Sequence, residues 1–391
     1  MKRRTLLQAG ALSAAPGLAG VIGGRGPLAL HAALGPLASL GRFGALSHPG
    51  ALGALALPSA AVHAQPALRT AAAAAGNGAS ATSATPSSSA TAECIVPAKP
   101  GGGFDLGCQL ARSALQRADP ARPPLAIRYL PGGIGALAYR QATTQRAADA
   151  NALVAFSSGS LLNLVQGRWG PAPPREVRWV AGLGIDHGVI AVHRNAPWPS
   201  LGALLAALKA DPRAIVFGAG GTIGSQDWMK AALLARAAGI GHQAMRFVAF
   251  EGGGDALSAL LGGHVQVLAG DAAEVGRQWD SAAPLRVLAV LADARLPGRW
   301  AASPTAREQG IDLVWPILRG FYLGPDVSDA DHAAWVRAFT TAMALPGFAE
   351  DRARAGLQPP ALTGTALDEY IARQLAQYRA LAAGFGLPQR R

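Results

Sequence analysis

The residues most able to do chemistry in this 391-residue chain lie in glycine-rich turns, each predicted to join a strand to a helix. Four such turns occur, at 101–103, 132–135, 218–224 and 252–254. A turn of this kind presents backbone N–H groups at the positive end of a helix dipole, and such donors suit a carboxylate. Any single turn is explained equally well by the conformational freedom of glycine. Four together favour one shared ligand crevice at the carboxyl ends of strands.

Side chains near these turns could also contact a ligand. Asp105 is either a favourable acid in a first helical turn or an acceptor for a ligand hydroxyl or water. A run of serines ends another predicted strand and offers three hydroxyls. The candidate ligand-binding residues of these segments are Gly101, Gly102, Gly103, Phe104, Asp105, Ser157, Ser158, Ser160, Gly221, Thr222, Gly224 and Ser225.

Motifs for catalysis or cofactor binding are missing from the sequence beyond residue 92. No P-loop or G-x-S-x-G elbow occurs, and Ile223 stands where a dinucleotide fingerprint needs its third glycine. The histidines are isolated and lack metal-ligand spacing; they are His187, His193, His242, His264 and His332. We therefore expect no catalytic residue, cofactor or metal site, and a protein that is not an enzyme.

Short apolar runs alternate with helical patterns from Glu93 onward. This alternation predicts an α/β fold whose parallel sheets are covered by helices on both faces. The C-terminal part is predicted to be mostly helical. Strands are predicted at 93–98, 125–130, 152–156, 177–183, 214–217, 245–249, 265–268 and 285–291.

The chain has two cysteines, Cys94 and Cys108. Cys94 is predicted to open a strand and Cys108 to lie in the following helix. An oxidising compartment would suit a disulfide, but this arrangement favours two buried thiols.

The first 92 residues have the composition of an exported leader and linker. Lys2, Arg3 and Arg4 precede a moderately apolar stretch, a pattern close to a twin-arginine export signal. We predict an export signal at 1–64, which ends at the small-x-small site Val62-His63-Ala64, and a disordered Ala/Ser-rich linker at 65–92. A mistaken start codon is the alternative. Export of this kind predicts a periplasmic location.

The net charge of the whole chain is +12. Six basic residues and no acidic ones precede residue 93, so the remainder has 29 basic and 23 acidic residues and a charge of +6. A mildly basic surface suits an anionic ligand, and the absence of a basic run with interleaved aromatics argues against nucleic-acid binding.

Five segments together resemble one known family. They are 93–106 (ECIVPAKPGGGFDL), 129–136 (YLPGGIGA), 155–163 (AFSSGSLLN), 217–228 (FGAGGTIGSQDW) and 250–257 (FEGGGDAL). In this order they are similar to the substrate-binding proteins of tripartite tricarboxylate transporters, the TctC/Bug family of periplasmic solute receptors. The resemblance covers residues 93 to about 387.

The resemblance implies a type II periplasmic-binding-protein fold, in which two α/β lobes are joined by two crossovers. Lobe 1 would comprise 93–191 plus 316–391, and lobe 2 would comprise 192–315. A ligand carboxylate would lie between 101–105 and 220–225. The wording of 315–322 (WPILRGFY) is closer to the citrate-type branch, which implies a tricarboxylate such as citrate.

Arg319 is a candidate for a second ligand carboxylate, because it lies near the expected lobe junction and can bind bidentately. A structural ion pair is the alternative for this arginine. The large and small membrane subunits of the transporter are the implied protein partners, and we expect the receptor to be a monomer. Two other functions stay open: a carboxylate sensor for a membrane kinase, and an enzyme on a two-lobed scaffold.

Overall fold

The computed structural model describes residues 91–170, 176–280 and 282–389. The predicted export signal, its cleavage site and all but the last two residues of the predicted linker lie outside the described residues. Within them, no helix is long and apolar enough to cross a membrane.

Helices and strands alternate along the first half of the described chain. The elements up to the first long strand are β1 (Glu93–Val96), α1 (Gly103–Ala118), β2 (Ala126–Tyr129), α2 (Ala136–Thr143), β3 (Ala152–Ser157), α3 (Ser158–Val165) and β4 (Arg178–His193). The next group is α4 (Leu201–Ala210), β5 (Val216–Gly220), α5 (Gln226–Ala237), β6 (Arg246–Phe250), α6 (Gly253–Leu261), β7 (Val267–Asp271), α7 (Ala272–Asp280) and β8 (Leu285–Leu291). The chain continues with β9 (Pro316–Leu323), α8 (Asp329–Ala344), α9 (Pro346–Arg354), β10 (Leu362–Thr363) and α10 (Gly364–Gly384).

The strands form one sheet in the order β2-β1-β3-β9-β4-β7-β5-β6, with β8 and β10 also paired to β4. β1 runs parallel to β2 and β3, and β5 runs parallel to β6 and β7. The prediction of parallel sheets holds for these two groups only. It is wrong at the centre, where β9 is antiparallel to β3 and β4, and β4 is antiparallel to β7. The cause is the long strand β4, which leaves the first group and enters the second without a helical crossover.

The change of partner along β4 defines the middle of the molecule. Its first part, up to His187, pairs with β9, whereas its last part, from Gly188, pairs with β7 and β8. β4 and β9 are therefore the two segments that connect the groups of strands. The predicted lobe boundaries, 191/192 and 315/316, stay predictions.

The first strand and first helix are joined by a disulfide between Cys94 and Cys108. The preference for two buried thiols was wrong. Helix α1 begins at Gly103 and folds back over β1, so its second turn brings Cys108 to a Cα–Cα distance of 5.8 Å from Cys94. Both cysteines are fully buried. Closing a loop of 14 residues stabilises the fold by about 3 kcal/mol, because it restricts the unfolded chain.

The glycine-rich turns lie together at one edge of the sheet, where buried strands end. All six residues of β3 are buried, as are all five of β7, so both strands are covered on both faces. The turns that follow β1, β3, β5, β6 and β7 lie at the carboxyl ends of these strands, and each leads into a helix. This arrangement brings the glycine-rich turns together.

Candidate functional site

The turns enclose a cavity of about 430 Å³. We call its two sides the first wall and the second wall. The first wall is formed by the turn Gly101–Gly103, the start of α3 and Arg319 of β9; the second wall is formed by the turn Gly252–Gly254, the start of α5 and the start of α7. A cavity of this size lies in the range of small-molecule sites.

The structure brings most of the predicted site residues to this cavity. Those that line it are Gly101, Gly102, Gly103, Phe104, Ser157, Ser160, Ser225 and Arg319. Gly221 and Thr222 line a neighbouring cavity of about 460 Å³, which shares Ile134, Asn163, Ser225 and Glu251 with the first. Asp105, Ser158 and Gly224 line neither cavity.

The turn Gly101–Gly103 already uses two of its backbone donors. The N–H of Gly101 donates to Asp105 Oδ2 (2.8 Å), and the N–H of Gly103 donates to Glu274 Oε1 (2.8 Å). Asp105 also accepts hydrogen bonds from Tyr129 Oη (3.0 Å) and Gln109 Nε2 (3.2 Å). Asp105 therefore holds the turn to helix α1, and a ligand contact of this side chain stays a prediction.

The serine hydroxyls of the first wall fix the start of α3. Ser157 and Ser160 form a reciprocal capping box, in which each side chain accepts the other's backbone N–H. Ser158 Oγ accepts the N–H of Leu318 (2.9 Å) and so ties α3 to β9. These hydroxyls position the wall. The carboxamide of Asn163, one turn further along α3, lines both cavities and donates no hydrogen bond within the described residues.

Arg319 lies beneath the turn Gly101–Gly103 and is almost fully buried. Its Nε and Nη2 donate to Asp186 Oδ2 (3.1 and 2.5 Å), and Nη2 also donates to Asp271 Oδ2 (2.9 Å). Burial alone would lower the pKa of Arg319, but the two carboxylates outweigh it and raise the pKa. A side chain on Gly103 would collide with the guanidinium, which explains the glycine at this position. Arg319 therefore forms structural ion pairs, which was the alternative expected from the sequence. Its contact with a ligand carboxylate stays a prediction.

The change of partner along β4 places Asp186 and Asp271 beside Arg319. Gly184 of β4 lies opposite Arg319, and Gly188 of β4 lies opposite Asp271 at the end of β7. The charges therefore meet where β4 passes from β9 to β7. This position is the boundary between the two walls.

Lys230 of α5 is fully buried and extends the charge cluster into the second wall. Its Nζ lies 2.7 Å from Asp271 Oδ1 and 2.9 Å from Asp227 Oδ1, and it donates to the carbonyl of Gly270 (2.6 Å). Burial raises the pKa of Asp227. Burial would do the same to Asp271, but Lys230 and Arg319 reverse the effect and lower its pKa.

Sequence reasoning missed Lys230 and Asp227, although their i,i+3 spacing in a helix that follows a glycine turn was visible. In the structure Asp271 is neutralised by two buried cations, and it lines the cavity.

Glu274 in the first turn of α7 was also missed. Burial, together with the negative charge of Asp271, raises its pKa to about 7; Arg319 offsets part of this effect. The cavity lining has more acid than base: Lys99 and Arg319 face Asp227, Glu251, Asp255, Asp271 and Glu274. The cavity lining is therefore net acidic, although the chain as a whole has a net positive charge.

Several contacts join the two walls at the rim. Lys99 pairs with Asp255 (3.0 Å), and Arg277 donates to the carbonyl of Gly101. Near the second cavity, Arg168 donates to Thr222 Oγ1 (2.7 Å), and Gln166 donates to the carbonyl of Gly224 (2.8 Å). These contacts connect turns that belong to different groups of strands.

Several solved structures are similar in fold to this chain. MatC (Rpa3494) of Rhodopseudomonas palustris with bound malate is 19% identical, with a TM-score of 0.65 over 74% of this chain and 98% of that one. Rpa4515 of R. palustris with adipate is 17% identical, with a TM-score of 0.67 over 76% of this chain and 98% of that one. The likeness confirms the predicted type II periplasmic-binding-protein fold.

The profile of the tripartite tricarboxylate transporter family receptors matches residues 152–387, more than half of the chain, and the chain belongs to this family. A curated relative, the UPF0065 protein in the gbd 5' region of Cupriavidus necator, is 23% identical over 219 residues. That match spans 55% of this chain and 64% of the relative.

Proposed function

We propose that this receptor captures a small carboxylate in the cavity between its two walls and delivers it to the membrane subunits of a tripartite tricarboxylate transporter. The observation that carries the proposal is the convergence of turns from both groups of strands on one cavity of about 430 Å³. Malate and adipate, named in the two similar structures, are carboxylates that a cavity of this size can hold.

The mechanism is capture between two walls. Ligand groups that contact both walls favour the arrangement in which the walls are close, and the segments β4 and β9 act as the hinge. The membrane subunits then recognise the closed surface. Binding and release suffice for this role, so we propose a receptor that is not an enzyme, that acts in the periplasm after export, and that works as a monomer.

The lobe division 93–191 plus 316–391 and 192–315 is part of the proposal, as are the ligand contacts of the predicted site residues. The sequence resemblance implies a narrower specificity, for a tricarboxylate such as citrate. The acidic second wall makes smaller carboxylates equally important to test.

Thermal shift and calorimetry on the purified protein test the proposal with citrate, tricarballylate, malate, succinate, adipate and glutamate. We expect at least one acid to bind and to raise the free energy of unfolding by about 2.7 kcal/mol at a ligand concentration of 100 Kd. No binding by any of the six acids would contradict the proposal. Uptake of the labelled ligand in a deletion strain then tests delivery to the transporter.

A further inference from the structure

The carboxylate of Glu274 lies between two glycine turns, one from each wall. Oε1 accepts the N–H of Gly103 at 2.8 Å. Oε2 lies so close to Gly253 that a methyl group there would overlap it. The side chain of α7 thus reaches across the cavity edge and takes a donor of the turn Gly101–Gly103. That turn is the element predicted to bind a ligand carboxylate.

The surroundings of Glu274 oppose a second carboxylate at this place. Asp271 and Asp227 face it from the second wall, and Arg319 is the cation that faces it from the first wall. Arg319 is already paired with Asp186 and Asp271. A ligand carboxylate beside Glu274 would therefore meet like charge without a free cation to balance it.

We propose that Glu274 determines ligand specificity: its carboxylate occupies one anion position of the cavity and selects ligands that place a hydrogen-bond donor, not a carboxylate, against it. This inference rests on the proposed function, because it assumes that the cavity binds a small carboxylate. The donor is a hydroxyl or an ammonium group on the carbon next to the ligand carboxylate. Such a ligand keeps a carboxylate for the side-chain donors of the first wall, which are Ser157, Ser160 and Asn163, and offers its donor to Glu274.

Three four-carbon acids separate the possible donors. Succinate, malate and aspartate have the same two carboxylates and differ at one carbon, which carries hydrogen, a hydroxyl or an ammonium group. We expect the wild-type protein at pH 8, where Glu274 is ionised, to bind malate or aspartate at least tenfold more tightly than succinate in calorimetry. In Glu274→Gln the ratio falls to about threefold or less, chiefly because succinate binds more tightly. Glu369→Gln, the same change at an exposed site on α10, keeps the wild-type ratio.

Gly253→Ala tests the same point without a change of charge. The added methyl displaces the carboxylate of Glu274, so the donor preference should again fall. Gly384→Ala is the matched control, since nothing lies within 4 Å of the added methyl group at this exposed position of α10, outside the cavity. It should keep the wild-type ratio. If the Glu274→Gln protein folds poorly, this pair of variants still tests the inference.

The outcomes separate the two proposals. If acids bind but succinate equals malate and aspartate in the wild-type protein, Glu274 does not select a donor and the inference is wrong. The inference is also wrong if Glu274→Gln and Gly253→Ala both keep the wild-type ratio. If none of these three acids binds to the wild-type protein but citrate, tricarballylate, adipate or glutamate does, the inference is wrong and the proposed function stands. If no acid of either set binds, the proposed function fails, and the inference fails with it.

Discussion

The two walls of the cavity are built from different chemistry. The first wall presents glycine turns, serine hydroxyls and one arginine, whereas the second wall presents Asp227, Asp271 and Glu274 around a buried Lys230. The disulfide between β1 and α1 also stabilises the first wall. We expect the neutral donors at the strand ends to favour an anionic ligand group, and the acids opposite to limit how many such groups the cavity accepts.

The largest expected effect on stability comes from removal of the buried positive charge of Lys230 in the second wall. Lys230→Met leaves Asp227 and Asp271 buried with too little positive charge, so the free energy of unfolding should fall by about 3–5 kcal/mol. Urea denaturation measures this loss. Lys209→Met, at an exposed site of α4, is the control and should change stability by less than about 0.5 kcal/mol. A loss below 1 kcal/mol in Lys230→Met would mean that the second wall does not rely on this ion pair.

Removal of the disulfide between Cys94 and Cys108 should have the next largest effect on stability. The Cys94→Ser, Cys108→Ser protein should lose about 3 kcal/mol of unfolding free energy, because its unfolded chain regains the freedom of the loop. The reduced wild-type protein should match it in denaturant unfolding. Equal stability of the oxidised wild-type and double-serine proteins would contradict the role of this link.

Protonation of Glu274 makes the second wall sensitive to pH. Its pKa rises from 4.5 in the unfolded chain to about 7 in the folded protein, so the stabilising contribution of the protonated form is complete below pH 4.5. It is lost as the pH rises through 7. Relative to Glu274→Gln, the wild-type protein should therefore lose on the order of 1–3 kcal/mol between pH 4 and pH 8. Thermal unfolding of both proteins across this range measures the difference. A constant difference would show that Glu274 titrates normally.

The smallest expected effect is in the turn of the first wall. Tyr129→Phe removes the hydrogen bond from Tyr129 Oη to Asp105, and because Tyr129 is 37% exposed the loss should be about 0.5 kcal/mol. Chemical denaturation is sensitive enough to detect this change. Tyr370→Phe is the control on α10. A loss of several kcal/mol would mean that Asp105 supports far more than the local turn.

The first wall could be predicted from the sequence because its chemistry is local. A glycine turn between a buried strand and a helix presents N–H groups that the helix itself cannot pair, wherever the rest of the chain lies. The same logic located β1, α1 and the turns after β3 and β5. It did not locate β9, whose Arg319 and Gly320 interrupt the apolar run, nor the antiparallel centre of the sheet.

The charged groups of the cavity could not be predicted because they pair over long distances in the sequence. Arg319 meets Asp186 and Asp271 only after β4, β7 and β9 come together. Glu274 meets Gly103 across 171 positions. The disulfide was missed for a related reason, since the direction in which α1 returns over β1 is a property of packing. An isolated acid near a strand end is no more than a candidate until its partner is known.

A crystal structure of the protein grown with malate tests the central claim most directly. We predict that malate lies in the cavity of about 430 Å³, in contact with both walls, and that its hydroxyl faces Glu274. Malate bound outside this cavity, or with a carboxylate against an ionised Glu274, would contradict the account.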